Sequence, residues 1–271
     1  MKRWIALFLV LALVCAGLCG CQAKSKNVEL TVFAAASLTE TLTELGEQYH
    51  QAHPEVIIHF NFDSSGTLKT QLQEGAECDL FLSAAQKQMN QLDITCDEEK
   101  NPDRLDLIDH DTRVDLLENK VALVVPEDNP KGLASFDDMA RALQAGGVLM
   151  AMGNADVPVG QYTEKIFAYY GLDQAALEGA GLISYGSNVK EVTSQVAEAA
   201  VDFGVVYQTD AFSAGLTVAD TATKEMCGQV IYPAAVTKTS QNAEAARDFL
   251  SFLSTPEAGE VFARVGFTPL G

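Results

Sequence analysis

Leu30-Thr31-Val32-Phe33-Ala34-Ala35-Ala36-Ser37-Leu38-Thr39-Glu40 changes its periodicity half-way along. Leu30 to Ala34 is a short apolar run of strand type, whereas Leu38, Leu42, Leu45 and Tyr49 recur at helical spacing. Ser37 stands at the switch and Glu40 follows three residues later. That is the spacing of a capping box, in which the serine hydroxyl and the glutamate satisfy free amides of the first helical turn. A strand that ends in small residues and opens directly into a helix points bare N–H groups at a crevice, and such a place attracts anions. Alone, Ser37 reads better as a helix cap and nothing more. The anion reading needs other segments that build the same device.

Other segments do. The strand Val56 to Phe62 runs into Asp63-Ser64-Ser65-Gly66-Thr67-Leu68, with Leu68 and Leu72 inward and Gly75 as a stop. Cys78 to Ala84 is a third strand pattern and Val121 to Val125 another. Gly147 to Met152 leads through Gly153-Asn-Ala-Asp-Val-Pro-Val-Gly160 into a helix over Gln161 to Tyr170, and these glycines would let a ligand approach the backbone. Ile183 to Tyr185 leads through Gly186-Ser187-Asn188 into a helix whose apolar stripe is Val189, Val192, Val196 and Ala200, with Asn188 as N-cap. The strand Phe203 to Tyr207 ends in a tyrosine that is either core or a hydroxyl facing the crevice. Pro233 inside Val230 to Val236 predicts an edge strand or a crossing between lobes. Helices follow over Asn242 to Leu253 and from Pro256. Strands alternating with helices imply an α/β fold with its loops at one edge, and two similar groups imply two lobes around a cleft.

The first 21 residues read as a targeting segment, with Lys2 and Arg3, an apolar Trp4 to Val14, and then small residues. Leu18-Cys19-Gly20-Cys21 resembles the bacterial lipobox, whose last cysteine is acylated; the competing reading is an uncleaved membrane anchor. Both put the remainder outside the cytoplasmic membrane, behind a polar tether over 22–28. The formal charge is −19, and losing Lys2 and Arg3 makes it −19 − 2 = −21. That excludes nucleic acid as a natural partner. A bound anion must therefore be held by local dipoles against the general field. Cys78, Cys96 and Cys227 remain in the mature chain, an odd number with no metal or redox spacing; a Cys96–Cys227 pair stays open. His50 and His53 lack a third ligand nearby. The acidic stretch Asp93 to Asp115 lacks the spacing of a calcium loop and reads as a solvated face.

The segments Thr31 to Leu38, Ser64-Ser65-Gly66-Thr67-Leu68, Asp79 to Ala84, Val157-Pro158-Val159-Gly160-Gln-Tyr162, Asn188-Val189-Lys190, Gly204 to Tyr207 and Gly266-Phe267-Thr268 together resemble the periplasmic molybdate-binding protein family. The resemblance runs from about Leu30 to the C-terminus. It implies a two-lobed periplasmic solute-binding fold of type II with two crossing hinge strands and the ligand in the interlobe cleft. Lobe 1 would take 29–120 and 230–271, and lobe 2 would take 121–229. By this resemblance Ser37 and Ser65 give hydroxyls to a molybdate or tungstate oxyanion, Val159 and Val189 give backbone N–H groups, and Tyr207 gives its hydroxyl from lobe 2. The ligand would be passed to an ABC permease and its ATPase by a lipid-anchored monomer that uses no cofactor. Asp63 and Gly66 depart from the family pattern, and a carboxylate at 63 should point away from a dianion.

The chemistry of the residues agrees with a binding role. Every expected contact is a neutral hydroxyl or amide at a strand-to-helix junction, so dipoles offset the ligand charge. A fully deprotonated tetrahedral anion needs no acceptor, whereas hydrogen phosphate does. Sulfate is the nearest rival ligand. A serine-dependent phosphate-ester hydrolase is the rival from another class. Such a serine needs a base within reach, yet the histidines at 50, 53, 59 and 110 fall in no cleft motif, and neither G-x-S-x-G nor S-x-x-K is expected at a cleft.

Overall fold

The computed structural model describes residues 27–270. The targeting segment and Cys21 lie outside them. Eleven strands are described: β1 Val28–Ala35, β2 Val56–Asp63, β3 Leu80–Leu82, β4 Val114–Asn119, β5 Val121–Val125, β6 Met150–Gly153, β7 Ile183–Gly186, β8 Phe203–Tyr207, β9 Thr217–Thr221, β10 Val230–Val236 and β11 Thr268–Pro269. They form two sheets, ordered β11-β4-β10-β3-β1-β2 and β7-β6-β8-β5-β9. Each sheet has a parallel core whose strands are joined through helices: β1 pairs parallel with β2 and β3, and β6 pairs parallel with β7 and β8. Parallel pairing needs a crossover, and the helices that supply it cover the sheet faces.

Burial follows the sequence patterns. Leu38, Leu42, Leu45 and Tyr49, the stripe read from the opening segment, are all buried, Leu42, Leu45 and Tyr49 on the helix Thr39–Ala52. Each such leucine contributes roughly 1.5–3 kcal/mol over an exposed one. Val189, Val192 and Val196 do the same in the second lobe. The chain passes between the sheets twice. Lys120 alone separates β4 from β5, and the segment between β9 and β10 carries the short helix Lys224–Cys227.

Three expectations change on contact with the structure. Pro233 does not mark an edge: β10 lies between β3 and β4, and its register slips between Tyr232 and Pro233. A bulge tolerates a residue that cannot donate to the ladder. The stretch Asp93 to Asp115 is not only a solvated face, because Asp93 is buried and accepts from the Arg113 guanidinium at 2.9 Å. Cys78, Cys96 and Cys227 are all free thiols. Burial pushes the Cys78 thiol up to about 12 and Cys227 up to about 11, so neither is a ready nucleophile.

Candidate functional site

The parallel strands of both sheets end on the same cleft. Ser37 follows β1, Ser65 follows β2, Val159 follows β6, Val189 follows β7, and Tyr207 is the last residue of β8. Ligands in open α/β sheets bind at the carboxyl ends of strands. Here the ends of two sheets meet around one small cavity. Its wall includes Ser37, Ser65, Val159, Val189 and Tyr207, together with Ala35, Ala36, Asp63, Ser64, Ala84, Val157 and Pro158. Larger depressions lie elsewhere, two of which test the choice of site. The first has Lys87, Glu164 and Lys165 on its rim; the second is an apolar groove by β2. Neither gathers several helix N-termini, so donor chemistry rather than size singles out the small cavity.

The donors can be accounted for one at a time. Ser65 Oγ accepts the Ala84 amide at 2.9 Å, and its own proton has no acceptor among the described residues. Ser64, not Ser65, caps the helix Ser65–Gln73, accepting from the Thr67 amide at 3.1 Å. Val159 is the second residue of the helix Pro158–Tyr170 and Val189 the first of Val189–Ala197. First-turn amides have no partner within their helix. Asn188 caps the second of these helices by accepting from the Glu191 amide at 3.1 Å, which leaves the Val189 N–H uncommitted. The Tyr207 hydroxyl reaches across the lobes to the Ala84 carbonyl at 3.5 Å, a long bond. Burial pushes its pKa well above 10.0, so it stays a protonated donor.

The capping box is absent. A 3₁₀ turn over Ala36–Leu38 precedes the helix Thr39–Ala52, and neither start has a side-chain cap. The extra turn carries Ser37 inside the helical segment instead of flanking it. Its hydroxyl meets the Tyr232 hydroxyl at 2.9 Å, and Glu40 pairs with Lys190 instead. Against expectation, Asp63 lines the cavity; its Oδ1 accepts the Ser64 amide at 2.7 Å. The glycines of the 153–160 loop also serve another purpose. A Cβ on Gly160 would stand 2.3 Å from the Gly153 carbonyl oxygen, so this glycine lets the loop close on itself rather than admit a ligand.

Three residues near the cavity have no motif that marks them: Asn119, Tyr232 and Asp210. Contrary to the expectation that no S-x-x-K motif lies at the cleft, Ser187-Asn188-Val189-Lys190 has the spacing of such a serine–lysine nucleophile pair. Ser187 is exposed, however, and the Lys190 ammonium is held by Glu40 at 2.8 Å. Among the described residues no cluster of three or more His, Cys, Asp or Glu is set to hold a metal ion.

Two α/β lobes, crossed twice by the chain and closed over a cavity of neutral donors, define a solute-binding protein of the two-lobed type. The chain belongs to the bacterial extracellular solute-binding protein family, whose model matches residues 30–268. It is 32% identical over 262 residues to the molybdate-binding protein ModA of Haemophilus influenzae, covering 95% of this chain and 96% of the other. It is also 32% identical over 245 residues to YvgL of Bacillus subtilis, provisionally named as an ABC transporter substrate-binding lipoprotein, covering 90% and 87%. The periplasmic molybdate-binding protein of Azotobacter vinelandii has the same fold, with a TM-score of 0.74 at 21% identity over 89% of this chain and 100% of that one. No helix among the described residues is long and apolar enough to cross a membrane.

Proposed function

We propose that this protein captures molybdate or tungstate outside the cytoplasmic membrane and hands it to an ABC permease driven by its ATPase. The observation that carries this reading is the convergence of Ser37, Ser65, Val159, Val189 and Tyr207 on one cavity. The two serine hydroxyls, the two valine amides and the tyrosine hydroxyl supply donors to all sides of a tetrahedral dianion. None of the five carries a formal charge, so hydrogen bonds and helix dipoles provide the stabilisation. The relatives named for molybdate binding support the choice of ligand. Residues 29–120 with 230–271 act as one lobe and 121–229 as the other, and the protein works as a monomer that binds without turnover and needs no cofactor.

Cys21 carries the lipid that ties the mature chain to the membrane, a reading supported by the lipobox and by the name of the YvgL relative. Cys21→Ala should abolish lipid labelling; retained labelling would move the anchor to Cys19. Calorimetric titration with molybdate, tungstate, sulfate and phosphate tests the ligand. Molybdate and tungstate should bind alike and far more tightly than the other two. Equal affinity for sulfate would remove the molybdate assignment and leave the solute-binding class intact.

A further inference from the structure

The Ser37 hydroxyl can in principle donate or accept, and three buried residues settle which. Asn119 ends β4 at the first crossing. Its Oδ1 accepts the Lys120 amide at 2.8 Å, which fixes the orientation of the side-chain amide. Nδ2 is thereby turned inward, where it donates to Thr209 Oγ1 at 2.9 Å and to the Tyr232 hydroxyl oxygen at 3.2 Å. An amide nitrogen only donates. Tyr232 therefore accepts from Asn119 and must send its own proton elsewhere. Its shortest remaining partner is Ser37 Oγ at 2.9 Å, with the Tyr207 hydroxyl as a further neighbour. Ser37 accepts that proton, and its own is left for the cavity. Tyr232 is 1% exposed, Asn119 3% and Ser37 5%, so water does not compete for these bonds. Burial also holds the Tyr232 phenol protonated.

The geometry points to a fixed hydrogen-bond relay, Asn119 to Tyr232 to Ser37, that locks Ser37 as a donor toward a deprotonated oxyanion. Asn119 and Tyr232 are positioning residues: neither lines the cavity, and both act through Ser37. The second Asn119 proton goes to Thr209 in the other lobe, so the relay is aligned by a crossing segment and both lobes together. The relay also bears on selectivity. A serine free to rotate can turn its lone pairs to an oxyanion that still carries a proton, as hydrogen phosphate does; a serine locked as donor offers that ligand less. This inference rests on the oxyanion reading of the cavity.

The test is a double-mutant cycle by calorimetry with sodium molybdate, repeated with phosphate. Tyr232→Phe should weaken molybdate binding about tenfold, the scale of one misdirected hydrogen bond to a charged group. In a Ser37→Ala background the same change should cost less than about twofold, because its only route to the anion is gone. The ratio of molybdate to phosphate affinity should narrow in Tyr232→Phe. Should that variant fold poorly, Asn119→Ala frees Tyr232 to accept from Ser37 and should give the same Ser37-dependent loss. Additive losses in the cycle, or an unchanged molybdate affinity in both variants, overturn the relay. Wild-type protein that binds sulfate and ignores molybdate overturns the ligand assignment instead, and the cycle is then decided with sulfate.

Discussion

Lys190 Nζ lies 2.8 Å from both carboxylate oxygens of Glu40, and 3.3 Å from Asp210 Oδ1. Glu40 belongs to the helix that follows Ser37, whereas Lys190 follows Val189 and Asp210 stands three residues after Tyr207. One ammonium is therefore shared between the lobes, beside the cavity. Separating the lobes breaks the Glu40 contact and leaves the Asp210 contact in place.

The Glu40 pair should slow ligand release and add to affinity only by that amount. Its side chains are 49% and 31% exposed, for Glu40 and Lys190 respectively. A pair so exposed is worth about 0.2–1 kcal/mol. Glu40→Gln should raise the molybdate off-rate by up to about fivefold, leave the on-rate nearly unchanged, and lose this effect in high salt. Stopped-flow release at two ionic strengths measures it. A salt-independent effect, or one confined to the on-rate, would remove the closing role.

Gly66 is the place where one lobe leaves no room for a side chain. A Cβ there would stand 2.1 Å from the Asp156 carbonyl oxygen across the cleft. That neighbour is backbone and cannot swing aside. Gly66→Ala should hold the lobes apart and weaken molybdate binding by tenfold or more. In the ligand-free protein the same change should be neutral or stabilising, because alanine is the better helix former by about 1 kcal/mol. Calorimetry and thermal melting on the one variant read both signs. Normal affinity would show that closure leaves more space at Gly66.

Tyr207 offers a hydroxyl that makes a long contact to Ala84 and neighbours the Tyr232 hydroxyl. Tyr207→Phe keeps the ring, which packs edge-on against Tyr162 and Tyr232. A hydrogen bond to a charged group is worth about 1.5–3 kcal/mol. Molybdate affinity should fall roughly ten- to a hundredfold, with the ligand-free melting temperature little changed. Lost stability with retained affinity would make Tyr207 a core residue only.

Asp210 couples stability to pH. It is fully buried, and desolvation raises its pKa from 3.8 to about 6; Lys190 opposes the rise and Glu40 adds to it. The folded value lies above the unfolded one, so between these pH values the folded protein holds more protons than the unfolded chain. The contribution of this group is full below about pH 4 and is lost as pH rises through about 6. Asp210→Asn removes that dependence. The stability difference between variant and wild type should shift in favour of the variant by up to about 3 kcal/mol between acid and neutral pH. Denaturant titration at pH 4.5 and 7.5 checks it; a constant difference at both would contradict the assignment.

The candidate site was legible in the sequence to an uneven degree. Local periodicity marked the strand-to-helix junctions, and the resemblance to the molybdate-binding family picked out Ser37, Ser65, Val159, Val189 and Tyr207 among the residues there. Asn119 and Tyr232 gave no such signal, although the relay to Ser37 depends on them. Their partners are 113 and 195 positions away in the chain, and no local pattern encodes such a meeting. The capping box misled for the opposite reason. Its spacing is a local rule, and Tyr232 offered Ser37 a buried tertiary partner while Lys190 took Glu40.

The sequence by itself determined the alternation of strand and helix and the apolar faces that bury it. These depend on residue type at short spacing, where backbone sterics and burial leave few choices. Only the tertiary structure decided that β10 runs inside its sheet, that Gly66 meets Asp156, that Lys190 joins Glu40, and that Asn119 points its donor at Tyr232. Each of these is set by two sheets folding against one another. Hydroxyls and carboxylates take whichever partner the buried space provides, and that space exists only once both lobes are formed.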